Sequence, residues 1–206
     1  MANVNVYVDG FNLYYGAVKG SPYKWLDLGA LCHRMLPNDT IQSIEYFTAI
    51  VSARPYDLDL PVRQQIYLRA LKTVGNLKIV SGHFLTHSCR MVLTGSNPPQ
   101  KVWVDKTEEK GSDVNIASHL LRDGYKGAFE VAVLVTNDSD LLEPVRILRR
   151  ELNLSVGILN PHQHHSVGLK GEATFMKRIR QSDVAACQFP NPITDAVGQF
   201  HKPSTW

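Results

Sequence analysis

The sequence predicts an α/β fold in which a parallel sheet carries helices on both of its faces. Three observations support this. Strand-like and helix-like segments alternate along the 206 residues. One segment, residues 129–135, is an almost unbroken apolar run, as expected for a central strand of a parallel sheet. The composition, 44% hydrophobic and 20% charged, fits one buried core. Alternation of this kind favours right-handed crossovers and a doubly wound sheet.

Five segments are predicted as strands because they are short, rich in β-branched, aromatic or other apolar residues, and bounded by turn-forming residues. In chain order they are residues 4–8, 44–51, 77–85, 129–135 and 155–159. The first ends at Asp9-Gly10, a pair typical of a tight turn.

Five further segments are predicted as helices because their apolar residues recur at helical spacing or because start and stop signals bound them. In chain order they are residues 26–35, 59–74, 113–121, 141–152 and 171–180. Pro61 is tolerated in the first turn of the second helix, and Gly75-Asn76 ends that helix. The third presents one apolar face that includes Val114 and Leu121.

Two segments fall outside this alternation. Residues 86–106 contain two extended pieces, 90–93 and 101–104, around a Gly-Ser-Asn-Pro-Pro turn, and we predict a hairpin insertion there. Residues 184–206 contain several prolines and little periodicity. We predict a domain of residues 1–183 followed by an extended tail that is packed on the domain or partly mobile.

Charge and cysteine content limit the cellular setting. The formal net charge of +3 is too weak to identify a nucleic-acid-binding protein, but it is compatible with a substrate that carries phosphates. The three cysteines form no C-x-x-C pair. No apolar stretch reaches the roughly 18 residues of a membrane span, and the first residues lack a signal-peptide pattern. We expect a cytoplasmic protein that does not contact membranes.

Four aspartates are placed where an α/β sheet binds its ligands. Asp9 follows the first predicted strand, Asp138 and Asp140 follow the fourth, and Asp113 opens a helix. Ligand sites lie outside the carboxyl ends of the strands, where the strand order reverses. If the first and fourth strands are neighbours, these acids meet. Crowded carboxylates need a compensating cation, and an oxygen-rich site suits Mg²⁺ or Mn²⁺, which can activate water for phosphodiester hydrolysis.

Each of these residues also has a purely structural explanation. An aspartate after a strand is common as a turn former, and Asp113 or Ser139 could simply cap the helix that it precedes. Asn12 could orient a metal-bound water or cap the first helix. Asn137 and Ser139 could assist the acids or shape the turn. The metal-site interpretation therefore depends on the predicted topology rather than on any one residue.

Three motifs that contain these aspartates resemble the NYN family of PIN-like nuclease domains. Residues 8–13, V-D-G-F-N-L, resemble its opening V-D-G-x-N-L, and residues 109–114, E-K-G-S-D-V, resemble its E-K-G-x-D-V. Residues 136–141, T-N-D-S-D-L, are similar to its S-x-D-S-D-F/L, with Thr136-Asn137 in place of the more usual Ser-Gly. The motifs occur in the family's order and span about residues 3–160.

The resemblance implies a PIN-like, Rossmann-like fold and the activity of an endoribonuclease that depends on Mg²⁺ or Mn²⁺ and cleaves RNA. It also implies the metal ligands Asp9, Asp113, Asp138 and Asp140, with support from Asn12 and Ser139. The hairpin insertion and the tail look like those of longer, LabA-like bacterial NYN proteins. A few chains of that type carry the label of an NADH-dependent 6-hydroxy-3-succinoylpyridine monooxygenase.

Three functions therefore stay open: a metal-dependent nuclease, an NADH-dependent monooxygenase, and a regulatory module that binds RNA without cleaving it. The turn after the first strand lacks G-x-G-x-x-G and carries an acid, which counts against an ordinary nicotinamide or flavin site. An isologous dimer through an edge strand, the hairpin or the tail is compatible with the sequence.

Basic, aromatic and histidine residues supply the remaining candidates. For substrate contact we single out Arg54, Lys110, Asn137 and Ser139. Tyr14 and Tyr15 could stack on bases or pack in the core. His162, His164 and His165 form a loop near the predicted active edge and could touch phosphate or be solvated. A zinc site at His83, His87 and Cys89 lacks a fourth ligand at a familiar spacing.

Overall fold

The computed structural model describes residues 1–206 and has a seven-stranded sheet at its centre, with strand order β4-β3-β2-β1-β5-β6-β7. All neighbouring strands in this sheet are parallel except β3 and β4, which are antiparallel. The strands are β1 Asn3–Asp9, β2 Thr40–Ala49, β3 Leu77–Val92, β4 Lys101–Lys110, β5 Val131–Val135, β6 Ser155–Asn160 and β7 Phe175–Arg178. A separate hairpin contains β8 Ile193–Asp195 and β9 Gly198–Phe200.

Seven α-helices surround the sheet. They are α1 Gly10–Leu13, α2 Leu28–Met35, α3 Leu60–Leu71, α4 Ser112–Tyr125, α5 Leu142–Arg150, α6 Val167–Glu172 and α7 Gln181–Ala186. A π-helical turn, Tyr14–Val18, continues α1, and a 3₁₀ turn, Ser139–Leu141, precedes α5. None of the helices combines the length and the apolar character that a membrane-spanning segment requires.

Alternation of side chains along β1 divides the core into two layers. Val6 and Val8 belong to a large apolar cluster that also contains buried residues of α2, α3 and α7. Tyr7 belongs to a second cluster, which contains buried residues of α4, α5 and α6. Successive residues of a strand point to opposite faces, so β1 joins both layers. The predicted α/β fold with helices on both faces is confirmed.

The strand order reverses at β1. This strand pairs with β2 on one side and with β5, the fourth strand predicted from the sequence, on the other. Val8 lies opposite Val135, so both strands end at the same edge. The condition on which the predicted meeting of the aspartates depended, that the first and fourth predicted strands are neighbours, is therefore met. This edge is the switch point at which open α/β sheets bind ligands.

The structure corrects two element predictions. The third predicted strand continues into the first arm of the predicted hairpin as one 16-residue strand, β3, and the second arm belongs to β4, which pairs with β3 from His83↔Lys110 to Val92↔Lys101. The predicted helix at residues 171–180 is wrong, because part of it forms strand β7 beside β6. The ring of Phe175 occupies the space above Gly157, where a Cβ would lie 2.1 Å from a ring carbon. The pairing with β6 therefore overrides any local helical preference.

Strand β4 forms one edge of the sheet, and much of its surface faces solvent. Lys101, Lys106 and Lys110 are exposed along it. Trp103 is 71% exposed, and the guanidinium of Arg90 lies 6.0 Å from the centre of its ring.

The segment 184–206 packs against the domain. Helix α7 crosses the predicted boundary at residue 183, and the β8–β9 hairpin follows it. Phe189, Ile193 and Phe200 are buried in the larger apolar cluster. The indole N–H of Trp25 donates to the Pro190 carbonyl at 3.1 Å. Aromatic contacts thus attach this segment to the core.

Candidate active site

Three of the four predicted aspartates meet at the switch point. Asp9 is the last residue of β1, Asp138 lies in the turn after β5, and Asp113 lies in the first turn of α4. One carboxylate oxygen from each lies within 4.8 Å of the other two. Asp9 is therefore joined by two aspartates that are more than 100 positions away in the sequence. The name carboxylate cluster is used below for Asp9, Asp113 and Asp138.

Asp9 is held in a fixed position. Its side chain is 5% exposed. One oxygen accepts the backbone N–H of Asn12 at 3.0 Å, and the other accepts the hydroxyl of Thr136 at 3.2 Å. Burial raises the pKa of Asp9 to about 6, the Asn12 N–H opposes the rise, and the charge of Asp113 adds to it. The carboxylate is thus oriented by two donors but only partly compensated by them.

The sequence before α4 places Asp113 in the cluster. Gly111 has a φ of 98°, a left-handed conformation that glycine adopts without steric cost, and it joins β4 directly to α4. Glu109 accepts from the backbone N–H of Ser112 at 3.2 Å and from its hydroxyl at 2.8 Å. Burial raises the pKa of Asp113, and the charges of Asp138 and Glu109 add to the rise. The E-K-G-x-D motif is therefore a turn that delivers one carboxylate.

No cation of the protein compensates this cluster. None of its three aspartates forms a salt bridge with a lysine, arginine or histidine. Three converging carboxylates, one of them buried, are the donor set that Mg²⁺ or Mn²⁺ prefers. The residues present therefore fit a divalent cation.

Asp140 lies beside the cluster rather than in it. Its side chain is exposed, and its backbone N–H donates to the Asp138 carboxylate at 3.0 Å. Its charge contributes to the raised pKa of Asp113. The backbone N–H of Asp138 in turn donates to the Thr136 hydroxyl at 3.1 Å. The T-N-D-S-D motif is thus a hydrogen-bonded turn that orients Asp138, and a ligand role for Asp140 stays a prediction.

Asn12 connects three chain segments at this edge. Its Oδ1 accepts the backbone N–H of Asn137 at 2.9 Å and lies 3.1 Å from Nε2 of His162. Because Oδ1 can only accept, Nε2 carries the hydrogen. The side chain of Asn137 then accepts the backbone N–H of Ser166 at 2.7 Å. The loops after β1, β5 and β6 are therefore locked together.

His162 is the site residue that the sequence located only loosely. Its position after the fifth predicted strand places it near the active edge, but its partner, Asn12, lies 150 residues away. The ring packs on Gly16, where a Cβ would approach it to 2.8 Å. His162 thus adjoins Asn12 rather than standing in a free loop.

The other predicted contact residues are dispersed. Arg54 is exposed and donates to the Tyr56 hydroxyl at 3.0 Å. Lys110 pairs with Glu108 at 3.1 Å. Ser139 is exposed at the start of the 3₁₀ turn. Of the four predicted contact residues only Asn137 joins the network around the carboxylate cluster, through its backbone N–H to Asn12 and its side chain to Ser166.

Two other groups proposed from the sequence have different arrangements. Tyr14 and Tyr15 pack edge to face with ring centres 5.4 Å apart. The possible zinc ligands of β3 do not converge, because the only three metal-ligating side chains that meet in the structure are those of the carboxylate cluster. These possible ligands were His83, His87 and Cys89.

Comparison with protein families gives one match that covers most of the chain. The sequence model of the NYN domain family matches residues 3–176, a range that includes every member of the carboxylate cluster. The motifs noted in the sequence lie within this range.

Two individual proteins add to this. The chain is 29% identical over 232 aligned positions to a Pseudomonas putida protein named 6-hydroxy-3-succinoylpyridine 3-monooxygenase, covering 98% of this chain and 74% of that protein. A Vibrio parahaemolyticus protein of unknown function has a crystal structure that matches with a TM-score of 0.58 and 18% identity, covering 87% of this chain and 93% of that one. The structural match concerns the fold alone.

Proposed function

The chain belongs to the NYN domain family, and on that premise we propose that it is a divalent-metal-dependent nuclease that hydrolyses phosphodiester bonds of RNA. The family implies a nuclease-type fold. The single observation that supports the metal-dependent reaction is the convergence of Asp9, Asp113 and Asp138 without a compensating cation. The choice of RNA rather than DNA as the proposed substrate rests on the resemblance to the NYN family.

The aspartates would hold one or two Mg²⁺ or Mn²⁺ ions. A bound ion would supply a nucleophile from water at neutral pH and would neutralise the scissile phosphate. The protein itself contributes rigid positioning: Asn12 and Thr136 hold Asp9, and the turn after β5 holds Asp138.

In this proposal Asn12 also acts as a hydrogen-bond donor to substrate or water. Its Oδ1 is occupied by Asn137 and His162, whereas its amide nitrogen has no hydrogen-bond partner in the protein. That nitrogen is available to donate to a phosphate oxygen or to an ordered water. The contacts to Oδ1 fix the orientation of the amide, so Asn12 would position substrate or water without reorganising.

Cleavage of a labelled single-stranded RNA by the purified protein tests the proposal. We expect cleavage with Mn²⁺, none with EDTA, and none by Asp138→Asn. Asp105→Asn is the matched control, because Asp105 is an exposed aspartate on β4 that only accepts from Ser88. Full activity of Asp138→Asn would exclude the proposed site. Tight RNA binding without turnover in Mn²⁺ would instead indicate a non-cleaving regulatory module.

A second candidate function has one specific observation in its favour. The alignment with the monooxygenase of Pseudomonas putida covers 98% of this chain. An NADH-dependent monooxygenase acting on 6-hydroxy-3-succinoylpyridine would oxidise NADH only when that substrate is added, and EDTA would not stop it. The turn after β1 carries Asp9 rather than a glycine-rich phosphate-binding sequence, which favours the nuclease.

A further inference from the structure

A cavity of about 300 Å³ is lined by residues of α1, the helix that directly follows Asp9. It lies between the π-helical turn, the carboxyl end of β2 and helix α3. Gly10, the residue directly after Asp9, lines it together with Tyr46 of β2. The lining of the cavity therefore includes the residue next to Asp9, the proposed metal ligand.

The walls of the cavity are aromatic from its inner part to its mouth. Tyr67 and Trp206 line the inner part and have ring centres 5.9 Å apart. Tyr14 lines the side. Tyr15 and Tyr56 line the mouth, and they are 55% and 80% exposed. Exposed tyrosines beside a deep aromatic cavity favour a planar ring as its occupant.

The charged residues around the mouth are mainly positive and lack partners of opposite charge. Lys19, Lys24 and Arg54 line the cavity, and none of the three forms a salt bridge. Its one acidic residue, Asp57, is bound by Arg63 at 2.6 Å. The occupant is therefore expected to carry an anionic group as well as a ring.

Two of these cations lie against the exposed tyrosines. The ammonium of Lys19 is 4.7 Å from the centre of the Tyr15 ring, and Arg54 donates to the Tyr56 hydroxyl at 3.0 Å. Cations interleaved with aromatic rings are the combination that binds single-stranded nucleic acid, in which bases stack and phosphates meet positive charges.

We propose that this cavity binds one unpaired nucleobase of the substrate strand, with an adjoining phosphate at Lys19 and Arg54. This proposal rests on the proposed nuclease function, and it specifies a single strand as the form of substrate that the protein selects. A base inside the cavity is accessible only in a single strand, since duplex bases are paired and stacked. The strand would then continue past Gly10 to the carboxylate cluster.

The test is an NMR titration of the complete protein in EDTA with uridine 5′-monophosphate, adenosine 5′-monophosphate, uridine and benzoate. EDTA prevents metal-dependent cleavage, so binding is measured separately from the reaction. The indole N–H signal of Trp206 reports on the cavity and is assigned with Trp206→Phe. We expect both nucleotides to shift this signal, and uridine and benzoate to bind at least about fivefold more weakly.

Two arginines provide a matched pair of variants. Arg54 contacts Tyr56 at the cavity, whereas Arg90 of β3 lies over the ring of Trp103 of β4. We expect Arg54→Gln to weaken nucleotide binding about fivefold and Arg90→Gln to leave it unchanged. Tyr15→Ala removes a stacking surface and should weaken binding about tenfold. In RNA cleavage, Arg54→Gln and Tyr15→Ala should raise KM more than they lower kcat.

The outcomes separate this proposal from the nuclease proposal. If the nucleotides shift the Trp206 signal but no RNA is cleaved, the nuclease function is overturned. The cavity would then remain a binding site for a ring that carries an anionic group. RNA cleavage with no nucleotide shift at Trp206, and with unchanged KM in Arg54→Gln, would overturn the nucleobase site alone. Benzoate binding as tightly as the nucleotides would identify a site for small aromatic acids instead.

Discussion

The acidic residues of the carboxylate cluster differ from those elsewhere in the molecule. Asp195 accepts two hydrogen bonds from Arg69 at 2.7 Å, which hold its pKa well below the usual range. Glu172 pairs with Arg150, and its pKa is also lowered. Asp9 and Asp113, in contrast, have raised pKa values and no cation. The acids with a lowered pKa all have a positive partner in the fold, whereas Asp9 and Asp113 have none, which is the arrangement that the proposed metal site requires.

The largest effect should come from removing a carboxylate of the cluster. We expect Asp113→Asn to lower kcat/KM for RNA by more than about a hundredfold, the upper end of the range for residues that only support a metal ligand. The residue has no salt bridge to lose, so the fold should be retained. Single-turnover cleavage in Mn²⁺ measures the effect, and circular dichroism checks the fold. A loss of less than tenfold would place Asp113 outside the metal site.

Removing a carboxylate of the cluster should increase the stability of the protein, although it lowers the activity. The pKa of Asp9 is about 6, above its ordinary value of 3.8, because the folded protein disfavours the ionised form. Ionisation therefore costs stability as the pH rises from about 3.8 through 6, and the cost is complete above that pH. In EDTA at pH 8, Asp9→Asn should raise the free energy of unfolding by about 2 to 3 kcal/mol.

Urea denaturation at pH 8 and at pH 4 measures this difference. Asn can still accept from the Asn12 N–H, so the local structure is preserved. The gain should fall below about 1 kcal/mol at pH 4, where Asp9 is protonated in the folded wild type. Destabilisation of Asp9→Asn at pH 8 would show that Asp9 contributes through its hydrogen bonds rather than through an uncompensated charge.

Divalent ions should stabilise the wild type by compensating the same charges. At Mn²⁺ concentrations about a hundredfold above the dissociation constant, binding to the folded state adds about 2.7 kcal/mol. The rise in Tm should be larger at pH 8 than at pH 5, because protons compete for Asp9 at the lower pH. Differential scanning calorimetry with and without Mn²⁺ measures it. An equal rise in Asp9→Asn would locate the ion elsewhere.

The smallest effect is predicted for an acid that already has a partner. Asp195→Asn removes the ion pair with Arg69 but leaves the carboxylate cluster intact. We expect a slightly lower Tm and unchanged RNA cleavage, since ion pairs that solvent still reaches contribute little. The same calorimetry and cleavage assays measure both. Impaired cleavage in this variant would contradict the functional distinction between paired and unpaired acids.

The switch point was predictable because its determinants are local. Asp9, Asp113 and Asp138 stand directly at strand ends or a helix start, and they meet because β1 and β5 are neighbours, a condition that the alternation of elements allowed but did not determine. The family motifs named the same residues. Asp140 shares a motif with Asp138 and lies beside the cluster with an exposed side chain, so its role as a ligand stays a prediction.

The remaining features depend on contacts between distant segments. Strand β7 forms because Phe175 fits over Gly157, and no local pattern shows that fit. The length of β3 depends on its pairing with β4 across ten residue pairs. His162 joins the site through a partner 150 residues away. Tertiary pairing of this kind overrides intrinsic propensity and is not visible in a single sequence.

The lysines of β4 have a consequence for how the protein behaves in concentrated solution. An edge strand presents unpaired backbone groups on which another chain can add, and lysines along the edge oppose this. Lys101, Lys106 and Lys110 share β4 with Asp105, Glu108 and Glu109, and Glu108 pairs with Lys106 and Lys110. The strand therefore has no net charge, but its charged side chains must lose water before a second copy can pair with it. That cost of dehydration, rather than a long-range repulsion between copies, opposes edge-to-edge association of the protein in concentrated solution.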